Sequence, residues 1–334
     1  MINILKYSVT IYFLLGINTL QGQTNTTDMS KETKISNPLI CDIETGMCAT
    51  NDAQSTTSTV DKSPHQKVKM VYFTDPICSS CWGIEPQLRK LKLEYGKQIE
   101  IEYRMGGLLP DWSYNSGGIS SPADVASHWD EASLHYDMPI DGDVWLEDPL
   151  HSSYPPSIAF KAAQIQDEEK AYLLMRKLRE LLFLHKKNIA KWEHIETAAD
   201  LVGLDIKQLR NDYEGKAKDL FAADLNLAKE YGVRGFPTIF VIDEEGNRDV
   251  VYGARTYPFY EMAILKSNPN IIKSEYSKKW EDLFEVYPTL TAKEFAELSG
   301  TPRVESEEVL NRLTKEGKLE KHTTKNGSIW SIVK

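Results

Sequence analysis

Two cysteines separated by two serines, Cys78-Ser79-Ser80-Cys81, follow the apolar run Val71-Tyr72-Phe73 and open a segment, residues 82–95, that reads as a helix. A Cys-x-x-Cys at a strand-to-helix junction is suited to thiol–disulfide exchange. The first turn of a helix leaves backbone N–H groups unpaired and carries about half a positive charge, so a thiolate is stabilised there. On that reasoning Cys78 is the nucleophile with a lowered pKa, and Cys81, one turn on, resolves the mixed disulfide. Half of a zinc site has the same spacing, so the two cysteines alone leave metal binding open. Asp75, three residues upstream, is the nearest acidic group for moving a proton to or from Cys81; its plainer reading is a turn residue ahead of Pro76.

A second region bears on these thiols from far along the chain. In Tyr231-Gly-Val-Arg-Gly-Phe-Pro-Thr-Ile-Phe-Val-Ile242, Pro237 stands just before a β-branched and aromatic strand. An X-Pro bond is the kind that adopts cis at low cost, and proline has no N–H, which leaves the backbone of Phe236 to pair with an incoming strand. On its own Pro237 reads equally well as an ordinary strand-entry proline. Between the two motifs most of the chain reads as helix. In 168–186 the apolar positions Ala171, Leu174, Met175, Leu178, Leu181 and Leu182 follow a 3.6-residue period, and amphipathic segments recur at 158–165, 192–202 and 216–231.

A helical block inserted into a thioredoxin fold is the architecture of the DsbA-like family, and residues 67–265 resemble it. Within that family Asp75-Pro-Ile-Cys-Ser-Ser-Cys-Trp-Gly-Ile-Glu-Pro86, followed by Tyr103-Arg-Met-Gly-Gly-Leu-Leu-Pro110, is similar to a particular branch. It contains FrnE-like oxidoreductases and the adaptors that deliver the regulator Spx to the ClpXP protease. The resemblance implies an α/β fold, a kinking proline at Pro86 inside the first helix, and a cis Phe236–Pro237 bond in a loop facing the cysteines. Pro237 would then position the partner chain. The dipeptide between the cysteines departs from the proline-histidine of strong oxidants. Serine hydroxyls carry no charge, so Cys78 is expected to be less acidic than in a strong oxidase. The thioredoxin-like unit is placed at 67–272, with its helical insertion at about 118–225.

Composition is that of a globular protein: 334 residues, 41% hydrophobic, net charge −10. That balance argues against a general nucleic-acid or acidic-membrane binder, and no apolar run is long enough to span a bilayer. Residues 1–22, weakly basic then apolar, read as a signal peptide, which would make the protein exported and periplasmic. The rival reading starts a cytoplasmic chain at Met29. Residues 23–66 read as a flexible segment rich in Ser, Thr, Asn, Asp and Gln. Within it lies Cys41-Asp-Ile-Glu-Thr-Gly-Met-Cys48. The favoured reading of this pair is a second disulfide; the alternatives are an accessory redox pair reaching Cys78–Cys81, and a four-cysteine zinc site. None of the histidines forms a ligand pattern, so no metal is expected, and no cofactor beyond the Cys78–Cys81 couple.

Trp82, Trp112, Tyr154 and Phe236 are candidates for an apolar substrate-binding surface around the cysteines, with core packing as the alternative. The loop 106–112 is a candidate rim, continued by Gly117-Gly118. After the thioredoxin-like unit, residues 277–334 read as three helices and a hairpin. The helices are 278–285, one opened by the capping box Thr291-x-x-Glu294, and one running from Ser306 to near Gly317. The hairpin turns at Asn326-Gly327. This resembles a winged-helix domain. Its third helix carries Glu305, Glu307, Glu308 and Glu316 against Arg303, Arg312 and Lys315, a poor match for phosphates and a better one for a protein partner. The leading reading is a thiol–disulfide oxidoreductase acting on protein substrates with a separate redox partner. The second is a non-catalytic adaptor that holds a client on the same surface and passes it to a protease.

Overall fold

The computed structural model describes residues 67–113 and 121–333, together with the backbone of two short strands, β1 (Cys41–Asp42) and β2 (Met47–Ala49). The signal peptide at 1–22, the start at Met29 and the glycines Gly117-Gly118 lie outside the described residues.

The run Val-Lys-Met-Val-Tyr-Phe-Thr forms β3 (Val68–Thr74), buried on both faces except at Lys69. A strand without polar alternation belongs in the middle of a covered sheet. β3 accordingly lies between β4 (Ile99–Met105), parallel to it, and β6 (Thr238–Ile242), antiparallel, with β7 (Arg248–Tyr252) beyond β6. The crossover from β3 to β4 is made by α1 (Ser79–Gly83) and α2 (Glu85–Tyr95). The expected single helix thus starts earlier and is broken at Ile84. Pro86, the second residue of α2, has no N–H to give the carbonyl of Trp82, so the helical ladder cannot run through it. Gly83 lets α1 come close to α3 (Pro122–Tyr136): a Cβ there would stand 2.5 Å from Cγ of Tyr136.

The helical block continues with α4 (Val144–Glu147), α5 (Tyr154–Gln166), α6 (Glu168–His185), α7 (Trp192–Leu201), α8 (Ile206–Glu214) and α9 (Lys216–Glu230). The chain then returns to the sheet through β5 (Gly235–Phe236), and α10 (Tyr257–Ser267) follows β7. The apolar stripe read in 168–186 is the buried face of α6.

The C-terminal elements are α11 (Trp280–Val286), β8 (Thr289–Thr291), α12 (Ala292–Ser299), α13 (Arg303–Lys315), β9 (Leu319–Thr324) and β10 (Gly327–Ile332), with sheet order β8-β10-β9. Leu283, Phe284, Leu290, Phe295, Leu310 and Trp330 build a core of their own. The capping box forms: Glu294 N–H donates to Thr291 Oγ1 at 3.2 Å, and Thr291 N–H to Glu294 Oε2 at 2.8 Å. Strand β8, three residues long, is an addition to the sequence reading.

Two contacts seat this unit on the helical block. Glu294, fully buried, accepts from Arg176 of α6 at 2.8 and 3.0 Å and lies 3.2 Å from Arg89 of α2. At the hairpin turn, Asn326 donates to Asp130 at 2.7 Å and to the carbonyl of Ile140 at 2.9 Å, while Lys325 pairs with Asp130 and Asp143.

Candidate functional site

The end of β3 leads straight into the site. Asp75 makes a tight turn: its carbonyl accepts from Cys78 N–H at 3.2 Å and its side chain from Ile77 N–H at 3.0 Å. Cys78 is thereby held as the N-cap of α1, in an extended backbone conformation, and its Sγ accepts the N–H of Cys81 at 3.1 Å. The sulfur takes the place of the hydroxyl that usually caps a helix. Opposite, Thr238 pairs with Phe73, so the two residues before it, Phe236 and Pro237, run past the end of β3 toward the cysteines. The Phe236–Pro237 bond is cis.

Both cysteines are fully buried, and this reverses the expected acidity. Burial pushes the Cys78 thiol well above its ordinary value, and its hydrogen bond to Cys81 and the charge of Cys81 add to the rise. Burial opposes ionisation of Cys81 as well. Its hydrogen bond with Cys78, the Arg179 guanidinium and the neighbouring Thr74 and Tyr72 hydroxyls outweigh that penalty and lower it. In this closed arrangement the proton stays on Cys78 and the negative charge favours Cys81, because the fixed cation lies on the inner side of the pair.

That cation is the residue the sequence reading missed. Arg179, on α6, is fully buried; it donates to Glu85 Oε1 at 2.5 Å, to Thr74 Oγ1 at 2.8 Å and to the carbonyl of Asp75 at 3.2 Å. The helical block thus contributes a charge to the thiol site as well as a cover. The available signal was an Arg at positions 176 and 179, one turn apart, within the apolar stripe.

Asp75 serves both readings given to it. Besides forming the turn, its carboxylate accepts from Leu108 N–H at 2.7 Å and Ser153 Oγ at 2.9 Å. Complete burial nevertheless raises its pKa to about 6, over the opposing effect of these donors and Arg179. It is a buried carboxyl that can gain a proton near neutral pH.

The apolar candidates divide. Trp82 belongs to the core, which corrects its reading as exposed surface: its ring stacks on Phe183 at 5.6 Å, Arg176 lies over it, and Nε1 donates to the carbonyl of Pro139. The Phe236 side chain is also fully buried, over Gly106, where a Cβ would stand 1.7 Å from its Cζ. Only its backbone faces a partner. Trp112 and Tyr154 are half-buried, Trp112 against Trp145 and Tyr154 against Phe221. Loop 106–112 lies beside Asp75 through Leu108.

The edge of β5 is occupied. β2 pairs antiparallel with it, Cys48 opposite Phe236 and Ala49 opposite Gly235, and β1 pairs with β2 so that Cys41 stands opposite Cys48. Among the described residues there is no cluster of three or more His, Cys, Asp or Glu side chains that could hold a metal ion.

A thioredoxin sheet with a helical insertion, a Cys-x-x-Cys at the start of its first helix and a cis-proline loop beside it define a class. The chain belongs to the DsbA-like thioredoxin family: the family model described as Thioredoxin matches residues 72–262. Within that class it falls in the SpxH branch. It is 33% identical over 298 residues to the ClpXP adapter protein SpxH of Halalkalibacterium halodurans, covering 87% of this chain and 96% of that one. Its similarity to SpxH of Bacillus subtilis is 27% over 272 residues, covering 80% and 90%. A putative protein disulfide isomerase from Nitrosomonas europaea superposes with a TM-score of 0.51 at 18% identity, over 60% of this chain and 95% of that one, a likeness of fold.

Proposed function

We propose that the chain is a DsbA-like adaptor that holds a client regulator of the Spx type and presents it to the ClpXP protease. The observation that carries this is the similarity to SpxH, which runs over 96% of that protein at 33% identity. The site supports it. Both cysteines are buried, Cys78 is held protonated, and the strand edge beside them is filled, an arrangement suited to regulated protein contact more than to rapid turnover. The C-terminal unit, which we read as winged-helix-like, has its hairpin turn committed to Asp130 and Asp143, leaving α13 as a face for protein. An adaptor of this kind works where ClpXP works, so we adopt the cytoplasmic reading with its start at Met29. No helix of the described residues is long and apolar enough to cross a membrane.

The second reading, disulfide exchange with protein substrates, is favoured by Cys78 capping α1 beside the cis Phe236–Pro237 bond. Reconstituted degradation of an Spx-type client by ClpXP separates the two. Adding the chain should speed degradation about tenfold, equivalent to about 1.4 kcal/mol of client affinity, and the Cys78→Ser/Cys81→Ser variant should do the same. No acceleration by the wild type overturns the adaptor reading; acceleration lost only in the folded serine variant transfers the function to the thiols.

A further inference from the structure

The strand on the β5 edge belongs to this chain. In thiol-exchange folds the backbone beside the cis proline is where a partner adds as a strand, its main chain paired and its reactive sulfur brought to the helix start. Here residues 47–49 fill that place, with Cys48 itself at the register position of Phe236. The next pairing holds Cys41 opposite Cys48. Residues directly opposite in an antiparallel pair have Cα atoms about 4.5 or 5.5 Å apart, inside the range of about 4.4–6.8 Å that a disulfide spans. The hairpin can therefore close or open a Cys41–Cys48 bond without leaving the edge. The cysteine next to the site has its own resolving partner.

We propose that the Cys41/Cys48 hairpin is a built-in partner strand of the Cys78/Cys81 site, and that the two pairs exchange one disulfide. Starting from a Cys78–Cys81 disulfide, the Cys48 thiolate attacks Sγ of Cys78. The Cys78–Cys81 bond breaks and its electron pair leaves on Cys81, the sulfur that Arg179 stabilises as an anion. Cys41 then attacks Cys48 in the mixed disulfide and releases Cys78, which takes up a proton. The hairpin has lost two electrons and two protons, and the Cys78/Cys81 pair has gained them. No outside oxidant enters the transfer. While the hairpin stays on the edge it also denies that edge to any other strand, so its redox state sets which partners the site receives. This holds whether or not the chain is an adaptor, because nothing in the exchange involves a protease.

The test uses the full chain carrying Cys81→Ser, which arrests exchange at the mixed-disulfide stage. The variant is oxidised with glutathione disulfide, alkylated and mapped by mass spectrometry without reduction. The Cys48–Cys78 cross-link should be the main product, and in Cys48→Ser/Cys81→Ser it should give way to glutathione on Cys78. A Cys78–glutathione adduct beside an inert Cys41–Cys48 disulfide in the single variant overturns the proposal, as does a predominant Cys41–Cys78 link. The wild-type chain gives a check free of substitutions. After one equivalent of oxidant, the distribution of the two disulfides should relax to the same ratio from either starting pair. A ratio that stays where each preparation began also overturns it.

Discussion

Asp75 holds the turn that positions Cys78, and its environment sets a pH signature. Burial raises its carboxyl from 3.8 to about 6, so the folded state binds a proton that the unfolded chain has already lost. Below pH 3.8 both states are protonated and the contribution is fully present; it is lost as pH rises through 6. The loss amounts to about 3 kcal/mol at 1.36 kcal/mol per pKa unit. Asp75→Asn removes this dependence, though it also gives up an acceptor for Leu108 N–H or Ile77 N–H. Urea unfolding of both proteins should therefore show the wild-type advantage shrinking by about 3 kcal/mol between pH 4 and pH 7.5. A constant difference across that range would show that Asp75 ionises freely in the folded state. Glu85 has the opposite sign, because Arg179, Arg176 and Arg89 hold it below the usual carboxylate range against its burial. Its stabilisation is lost on the acid side, away from this window.

Among the elements, α12 is seated by its own cap. Glu294 completes the capping box with Thr291 and simultaneously accepts from Arg176 and faces Arg89. Glu294→Gln leaves two buried guanidinium groups short of a counter-charge, and removing one partner of such a group costs about 3–5 kcal/mol. Chemical unfolding should show a loss of that size, and a loss under 1 kcal/mol would mean that the guanidinium groups find other partners. The capping box itself was legible in the sequence because it is a local pattern. Its second use was not, since Arg176 lies over a hundred positions away and nothing near Glu294 announces burial. The same holds for Arg179: an arginine on a helix is ordinarily solvated, and only Glu85, Thr74 and the Asp75 carbonyl, brought in by the sheet, make its burial tolerable. The paired cysteines, Pro237 and the periodic face of α6 were legible because their signals are short in range. The acidity of Cys78 was misread because helix position was weighed without burial. Strand β8 escaped because three residues carry no period.

At the scale of the whole molecule, the C-terminal unit is placed against protein and away from nucleic acid. Its hairpin turn lies on Asp130, Asp143 and Ile140, and Arg303 of α13 is taken up by Asp137 and Glu307. Duplex DNA titrated into the labelled full-length chain should give no anisotropy change below about 1 μM, the tight end of ordinary non-specific binding; submicromolar binding would contradict this placement. The two seats of this unit also differ in how they meet the solvent. Arg176, Arg89 and Glu294 are closed away from water, whereas Lys325, Asp130 and Asp143 stand at a partly open surface. Dissolved electrolyte screens exposed charges beyond about 8–10 Å and reaches buried ones far less. Raising ionic strength should free the hairpin tip while its base stays pinned, so that the unit pivots and does not detach. The angle between the thioredoxin face and α13 then follows the osmotic and ionic state of the cell.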